Sequence, residues 1–200
     1  MKLTAVYPPR KSGPGSVLRG RALLLAFAAT CTLLAVVPVG CSEDEEGNGP
    51  TIRRPQDFLP PGTAGMQKDG SPRIATDTAS LQDIVNGGYE VYTNNGFQEM
   101  VEQLYSGTLG GTATSVKISI FDMVNTQNTI ALHEELLQVG TWEEYDEIGD
   151  AAHRRTELFA HILLFRRTGY SVRLEISNSS QDARDLVVLF ATHIDQEIMQ

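Results

Sequence analysis

An apolar run from Ala22 to Val39 ends in Gly40-Cys41 and is followed at once by the acidic stretch Ser42-Glu43-Asp44-Glu45-Glu46. This boundary decides what the chain has left to fold with. Arg19 and Arg21 close the basic segment ahead of the run. The run itself goes from Leu23-Leu24-Leu25-Ala26-Phe27 to Leu33-Leu34-Ala35-Val36-Val37, and a small residue stands before the cut. Together these read as a secretory signal over residues 1–40. An uncleaved anchor needs about 20 apolar residues to cross the hydrocarbon core, and the run between Arg21 and Pro38 falls short of that. Pro8-Pro9 and Gly13-Pro14-Gly15 are unusual in the basic part of a signal, and a start at Val17 or Leu18 would give the same mature chain.

Cys41, first after the cut, is the expected lipid acceptor. The arrangement resembles a bacterial lipoprotein signal, with Pro38 standing where that pattern has Leu. Each buried CH₂ of an acyl chain contributes roughly 0.8 kcal/mol, so more than one chain holds a protein to a membrane without any spanning helix. Ser42, not Asp, follows the cysteine. By resemblance to the enterobacterial sorting pattern, this implies the outer membrane, with the domain facing the periplasm. Of the two cysteines, Cys31 leaves with the signal and Cys41 is acylated. No disulfide, thiol nucleophile or Cys metal ligand then remains, and an apolar core has to hold the fold.

Residues 1–40 contain five bases (Lys2, Arg10, Lys11, Arg19, Arg21) and no acid. Of the 16 bases and 25 acids in the whole chain, 11 and 25 therefore remain, a net charge of −14 for the mature protein. Phosphate binding draws its affinity from clustered Lys and Arg, so this charge disfavours nucleic acid and anionic lipid surfaces as partners, and no nucleic acid is expected. Residues 41–71 are acidic and rich in Pro and Gly (Pro50, Pro55, Pro60-Pro61; Gly47, Gly49, Gly62, Gly65). Such a composition buries too little apolar surface to order itself and reads as a tether. A single domain is expected over residues 72–200.

Within it, Leu81, Ile84, Val85, Gly88, Val91 and Tyr92 recur at helical spacing from Ser80 to Asn95. Phe97 to Tyr105 alternates imperfectly, and Ser115 to Phe121 alternates cleanly, with Gly110-Gly111 between them as a hairpin loop. A helix is expected from Asn125 or Thr126 to Leu137, an acidic loop over residues 140–156, and strands over 158–166 and 170–176 about a turn at Thr168-Gly169. A last helix opens at the capping signature Ser179-Ser180-Gln181-Asp182. The order is αββαββα. It predicts a two-layer α+β domain whose helices lie on one face of an antiparallel sheet of about four strands. Ser115-Val116-Lys117-Ile118-Ser119-Ile120 echoes Ser171-Val172-Arg173-Leu174-Glu175-Ile176, compatible with a duplicated αββ unit or with chance.

Asp83-Ile84-Val85-Asn86-Gly87-Gly88-Tyr89-Glu90-Val91-Tyr92, Gly96-Phe97, Ile120-Phe121-Asp122-Met123 and Asn128 resemble a family of uncharacterised bacterial envelope proteins, a domain-of-unknown-function family. The match covers residues 81–132. Gly88-Tyr89 depart from the family's Ala-Ala, and Gln127-Asn128-Thr129 from its Glu-Asn-Ala. The resemblance implies a fold and an envelope location and brings no activity.

Read from the residues alone, Asn86 and Glu90 are spaced i, i+4 and share a helix face. Two adjacent glycines there cost about 1 kcal/mol each relative to Ala. Either the sheet packs closely on Gly87 and Gly88 while Asn86 serves the backbone, or a ligand approaches that backbone and is held by Asn86 and Glu90. Asp122, after a strand, is either the cap of the next helix or a third site residue. His133, His153, His161 and His193 show no metal-ligand spacing. The stretch from Glu143 to Asp150 lacks the alternating ligands of a calcium loop and reads as solvated, or as a weak divalent site. Nucleotide-binding and serine-hydrolase signatures are missing too. The expectation is a lipid-anchored, non-catalytic binding or structural protein without metal or cofactor. Its partners are the membrane, through the anchor, and another envelope protein. The alternative is a hydrolase or small-ligand carrier with a pocket around Asn86, Glu90 and Asp122.

Overall fold

The computed structural model describes residues 53–200; the expected signal, Cys41 and the first part of the expected tether lie outside them. After a 3-10 turn (Pro55–Phe58) the chain forms β1 (Gly62–Thr63), β2 (Met66–Ala75), α1 (Thr78–Ile84), α2 (Glu90–Asn94), β3 (Glu99–Leu109) and β4 (Thr112–Asp122). It continues with α3 (Thr126–Leu136), β5 (Glu143–Glu144), β6 (Ala151–Thr156), β7 (His161–Arg167), β8 (Tyr170–Ile176) and α4 (Gln181–Ile198). The strands make one antiparallel sheet in the order β1-β2-β3-β4-β8-β7-β6-β5.

This corrects the expected αββαββα sheet of about four strands: the sheet has eight. The additional strands come from segments that carry no alternation. In β2 only Met66 and Ala75 are buried, and a register shift between Asp69 and Arg73 interrupts its ladder to β3. In β6 only Ala152 is buried. Strands held by backbone pairing, with one face's worth of nearly no apolar contact, leave no period-2 signal to read. The expected tether accordingly enters the fold well before residue 72. Phe58 is buried and meets the Tyr170 ring edge-on at 4.9 Å. The Tyr170 hydroxyl donates to the Arg53 carbonyl at 3.1 Å, and Arg53 pairs with Glu197 of α4 at 2.8 Å.

The helix expected over residues 80–95 is also two helices. Val85 ends α1 in an extended conformation, and Gly87 and Gly88 follow at φ +87° and +71°. Only glycine occupies that region without strain, so the glycines break the helix rather than pack within it, and both face open space.

Helices cover both sheet faces, a second correction to the two-layer reading. On one face, Val101, Tyr105, Val116, Ile118, Ile120, Val172 and Leu174 pack with Phe58 and with Leu186, Val187, Phe190 and Ile194 of α4. On the other, Met100 and Phe121 pack with Leu81, Tyr92, Met123 and Leu132 beneath α1, α2 and α3. The echoing segments are the two central neighbours, β4 and β8. They pair Val116 with Ile176, Ile118 with Leu174 and Ile120 with Val172, so both turn their apolar residues toward α4.

Candidate functional site: a polar cleft over the centre of the sheet

On the face covered by α1, α2 and α3, strand register sorts side chains into rows across the sheet. The first row, Ala75, Met100, Phe121 and Ser171, lies under the helices. The second runs Arg73, Glu102, Ser119, Arg173, Leu164, His153, and the third Leu104, Lys117, Glu175, Ile162, Arg155. The helices reach the ends of the second row, α1 at Arg73 and α3 at His153. Between them Glu102, Ser119, Arg173, Leu164, Lys117 and Arg155 form much of the floor of a cleft of about 580 Å³. The same strands alternate, so polar residues on this face are the counterpart of the apolar face against α4.

One wall is the broken helix, with Ile84, Val85, Asn86, Gly87 and Gly88, continued by Val91 and Tyr92. Tyr92 stacks on Phe121 with ring centres 4.2 Å apart. The opposite wall is the end of α3 and the segment after it, with Leu136, Val139 and Trp142. Trp142 Nε1 donates to the Val139 carbonyl at 2.9 Å, and so does Arg155 Nη1, whose guanidinium lies 4.6 Å from the centre of the Trp142 ring. Arg155 Nη2 pairs with Glu157 at 2.8 Å.

On the floor, Arg73 holds Glu102 at 3.0 Å. Glu175 faces two cations, Arg173 at 3.2 Å and Lys117 at 3.6 Å. Burial pushes the Glu175 carboxyl up, but Lys117 and Arg173 together more than offset this and hold it below the usual carboxylate range. Burial pushes the Tyr92 hydroxyl up, with Arg173 opposing.

The three residues singled out in the sequence do not converge. Asn86 lines the cleft. Glu90 is exposed at the start of α2 and is not among the lining residues. Asp122 sits beside a separate hollow with Gln98, Asn125 and Tyr170, and its Oδ1 accepts from the Val124 N–H at 2.7 Å; the cap of α3 is Asn125, which accepts from Asn128 N at 3.0 Å. The remaining motif residues meet structurally. Asn128 Nδ2 donates to the Met123 carbonyl at 2.8 Å, and a Cβ on Gly96 would clash with that nitrogen. Gly96 is at φ +82°. Gly96→Ala is therefore expected to cost about 2 kcal/mol, against about 1 for Gly88→Ala, whose Cβ meets nothing. Denaturant unfolding of the two variants checks the difference.

Sequence reading missed the floor residues Lys117, Ser119 and Arg173. Their signal was present, as the polar half of the two echoing strands, but nothing along the chain said that this half is left uncovered. It also missed the meeting of His133 and His153, whose rings bond at 2.9 Å between Nε2 and Nδ1. Among the described residues no group of three or more His, Cys, Asp or Glu side chains is arranged to hold a metal, and no helix is long and apolar enough to cross a membrane.

The fold and its cleft thus define a class: an eight-stranded antiparallel sheet, helix-covered on both faces, with a polar cleft on one. No family model and no curated protein matches the chain. Among solved structures it is similar to the extracellular domain of PknH from Mycobacterium tuberculosis, at 11% identity and a TM-score of 0.43, over 69% of this chain and 87% of that one. A likeness of that extent bears on neither the cleft nor its use.

Proposed function

We propose that the chain is a cell-envelope protein held to a membrane by acyl chains on Cys41, and that its domain is a non-catalytic binding module whose ligand enters the cleft. The observation that supports the binding reading is the uncovered polar floor. One face of the central strands is sealed under α4, whereas rows of the other face stay open beneath walls bearing Tyr92 and Trp142. Concave sites of mixed apolar and polar lining, on the order of 300–1,000 Å³, are where small ligands bind.

Ser119→Phe would place a ring on the floor. A ligand retained from the cell should appear as a mass adduct on the wild-type chain in native mass spectrometry and be absent from Ser119→Phe with its fold intact. An equal adduct on both proteins ends the cleft reading. The anchor has its own check: an acyl probe fed to cells should label the wild type and leave Cys41→Ser unlabelled.

A further inference from the structure

We propose that the cleft takes an anionic, single-chain amphiphile, a carboxylate or phosphate monoester carried on an apolar chain; this rests on the binding reading above and names its ligand class. The floor offers more donors than it uses. Glu102 is already held by Arg73. Glu175 alone answers both Lys117 and Arg173: Arg173 reaches it through a single nitrogen, and Lys117 at 3.6 Å is beyond ordinary hydrogen-bond length. Ser119 lies beside Arg173 in the row, and its hydroxyl has no hydrogen-bond partner among the described residues. A carboxylate or phosphate seated here would accept from Lys117, Arg173 and Ser119 together, the charge-assisted arrangement that binds such groups most strongly.

The charge distribution of the chain sharpens this. The mature protein carries only 11 bases against 25 acids, yet Lys117, Arg155 and Arg173 all line this one cleft. The acids on its lining are Glu102, held by Arg73, and Glu135, which accepts from Asn95 at 2.8 Å, and Glu175 borders it and is shared between Lys117 and Arg173. Those carboxylates disfavour a polyanion, while one small anion matches the excess at Lys117 and Arg173. The walls supply the other half of the ligand. Ile84, Val85, Val91, Leu136 and Val139 present carbon and no side-chain donor, a surface that gains from an apolar chain and that a sugar or a free inorganic anion would leave bare.

The test uses the mature chain with Cys41→Ser, which carries no acyl group of its own, and reads the fluorescence of Trp142, the one tryptophan in the sequence. Octyl phosphate, octanoate, octanol and octylamine are titrated below their micellar concentrations. The two anions should bind saturably and about tenfold tighter than octanol or octylamine, and added salt should shrink that preference in the wild type without any substitution. Lys117→Gln and Arg173→Gln should each abolish most of it, with circular dichroism unchanged. Equal response to all four probes overturns the charge assignment and leaves a binding cleft. No response to any of them, with no retained adduct, overturns both readings. Co-sedimentation with phosphatidylglycerol vesicles without response to the monomeric probes assigns the basic floor to a bilayer surface and overturns the proposal.

Discussion

Replacing Arg167 with Ala is expected to lower the unfolding free energy of the domain by about 3–5 kcal/mol. Asp195 of α4 is 7% exposed, and its two carboxylate oxygens accept from Arg167 Nε at 2.6 Å and Nη2 at 2.7 Å. The third guanidinium nitrogen donates to Asp150 at 2.9 Å. With Asp195 buried and Arg167 half-buried, this bidentate pair contributes little net when formed, because both charges lose water. Removing one partner is costly because the other stays behind uncompensated. The loss should therefore be largely recovered when Asp195→Asn is added to Arg167→Ala, and urea unfolding of the wild type, both single variants and the double variant measures this. A single-variant loss below about 1 kcal/mol would place the pair among surface ion pairs and defeat the argument.

Stability should fall by about 3 kcal/mol on acidification from pH 6.5 to 4, through His133. The ring is 4% exposed and its Nδ1 has no partner. Burial above all, then His153 and Arg166, pushes its pKa down to about 4. The groups facing it are thus His153 on β6 and Arg166 on β7, and both disfavour a second positive charge. In the unfolded chain the imidazole titrates near 6.5. Above that value both states are neutral and pH has no effect through this group. Between 6.5 and 4 the unfolded state binds more protons, so acid favours unfolding; below 4 both states are protonated and the loss levels off. His161, lowered by burial and by Arg184, adds a change of the same sign. His133→Leu is the control. If the wild type and the variant lose the same stability between pH 6.5 and 4, the pair does not carry the effect.

Where apolar alternation is strong, the sequence was sufficient. The central strands β4 and β8, the hairpin at Gly110-Gly111, the start of α3 at Asn125 and the capping of α4 by Ser180 all follow from residues that bury one face or terminate a helix. The peripheral strands were illegible because β2 and β6 bury almost no side chain, and a ladder of backbone bonds leaves no trace in composition. Asn86-Gly87-Gly88 drew attention for a sound reason, but periodicity carried the helix straight across glycines whose positive φ ends it. The cleft could not be read because it is defined by the place where α1, α2 and α3 stop covering the sheet. Lys117, Ser119 and Arg173 look along the chain like the solvated half of ordinary strands, and only the pairing of β3, β4 and β8 puts them side by side.

The entry point of the chain has a mechanical consequence. Arg53 is bonded to the last turn of α4 and to Tyr170, and Phe58 is wedged against the same sheet face as α4, the face opposite the cleft. If the chain is acylated as proposed, the 12 residue-to-residue steps from Cys41 to Arg53 span at most about 43 Å. Tension along that leash would be taken up first by the Arg53 contacts and the Phe58 plug, on the face opposite the cleft. The cleft walls, built from α1, α2 and the segment ending at Trp142, lie off that line of force. A domain tugged at its leash would keep its mouth in shape.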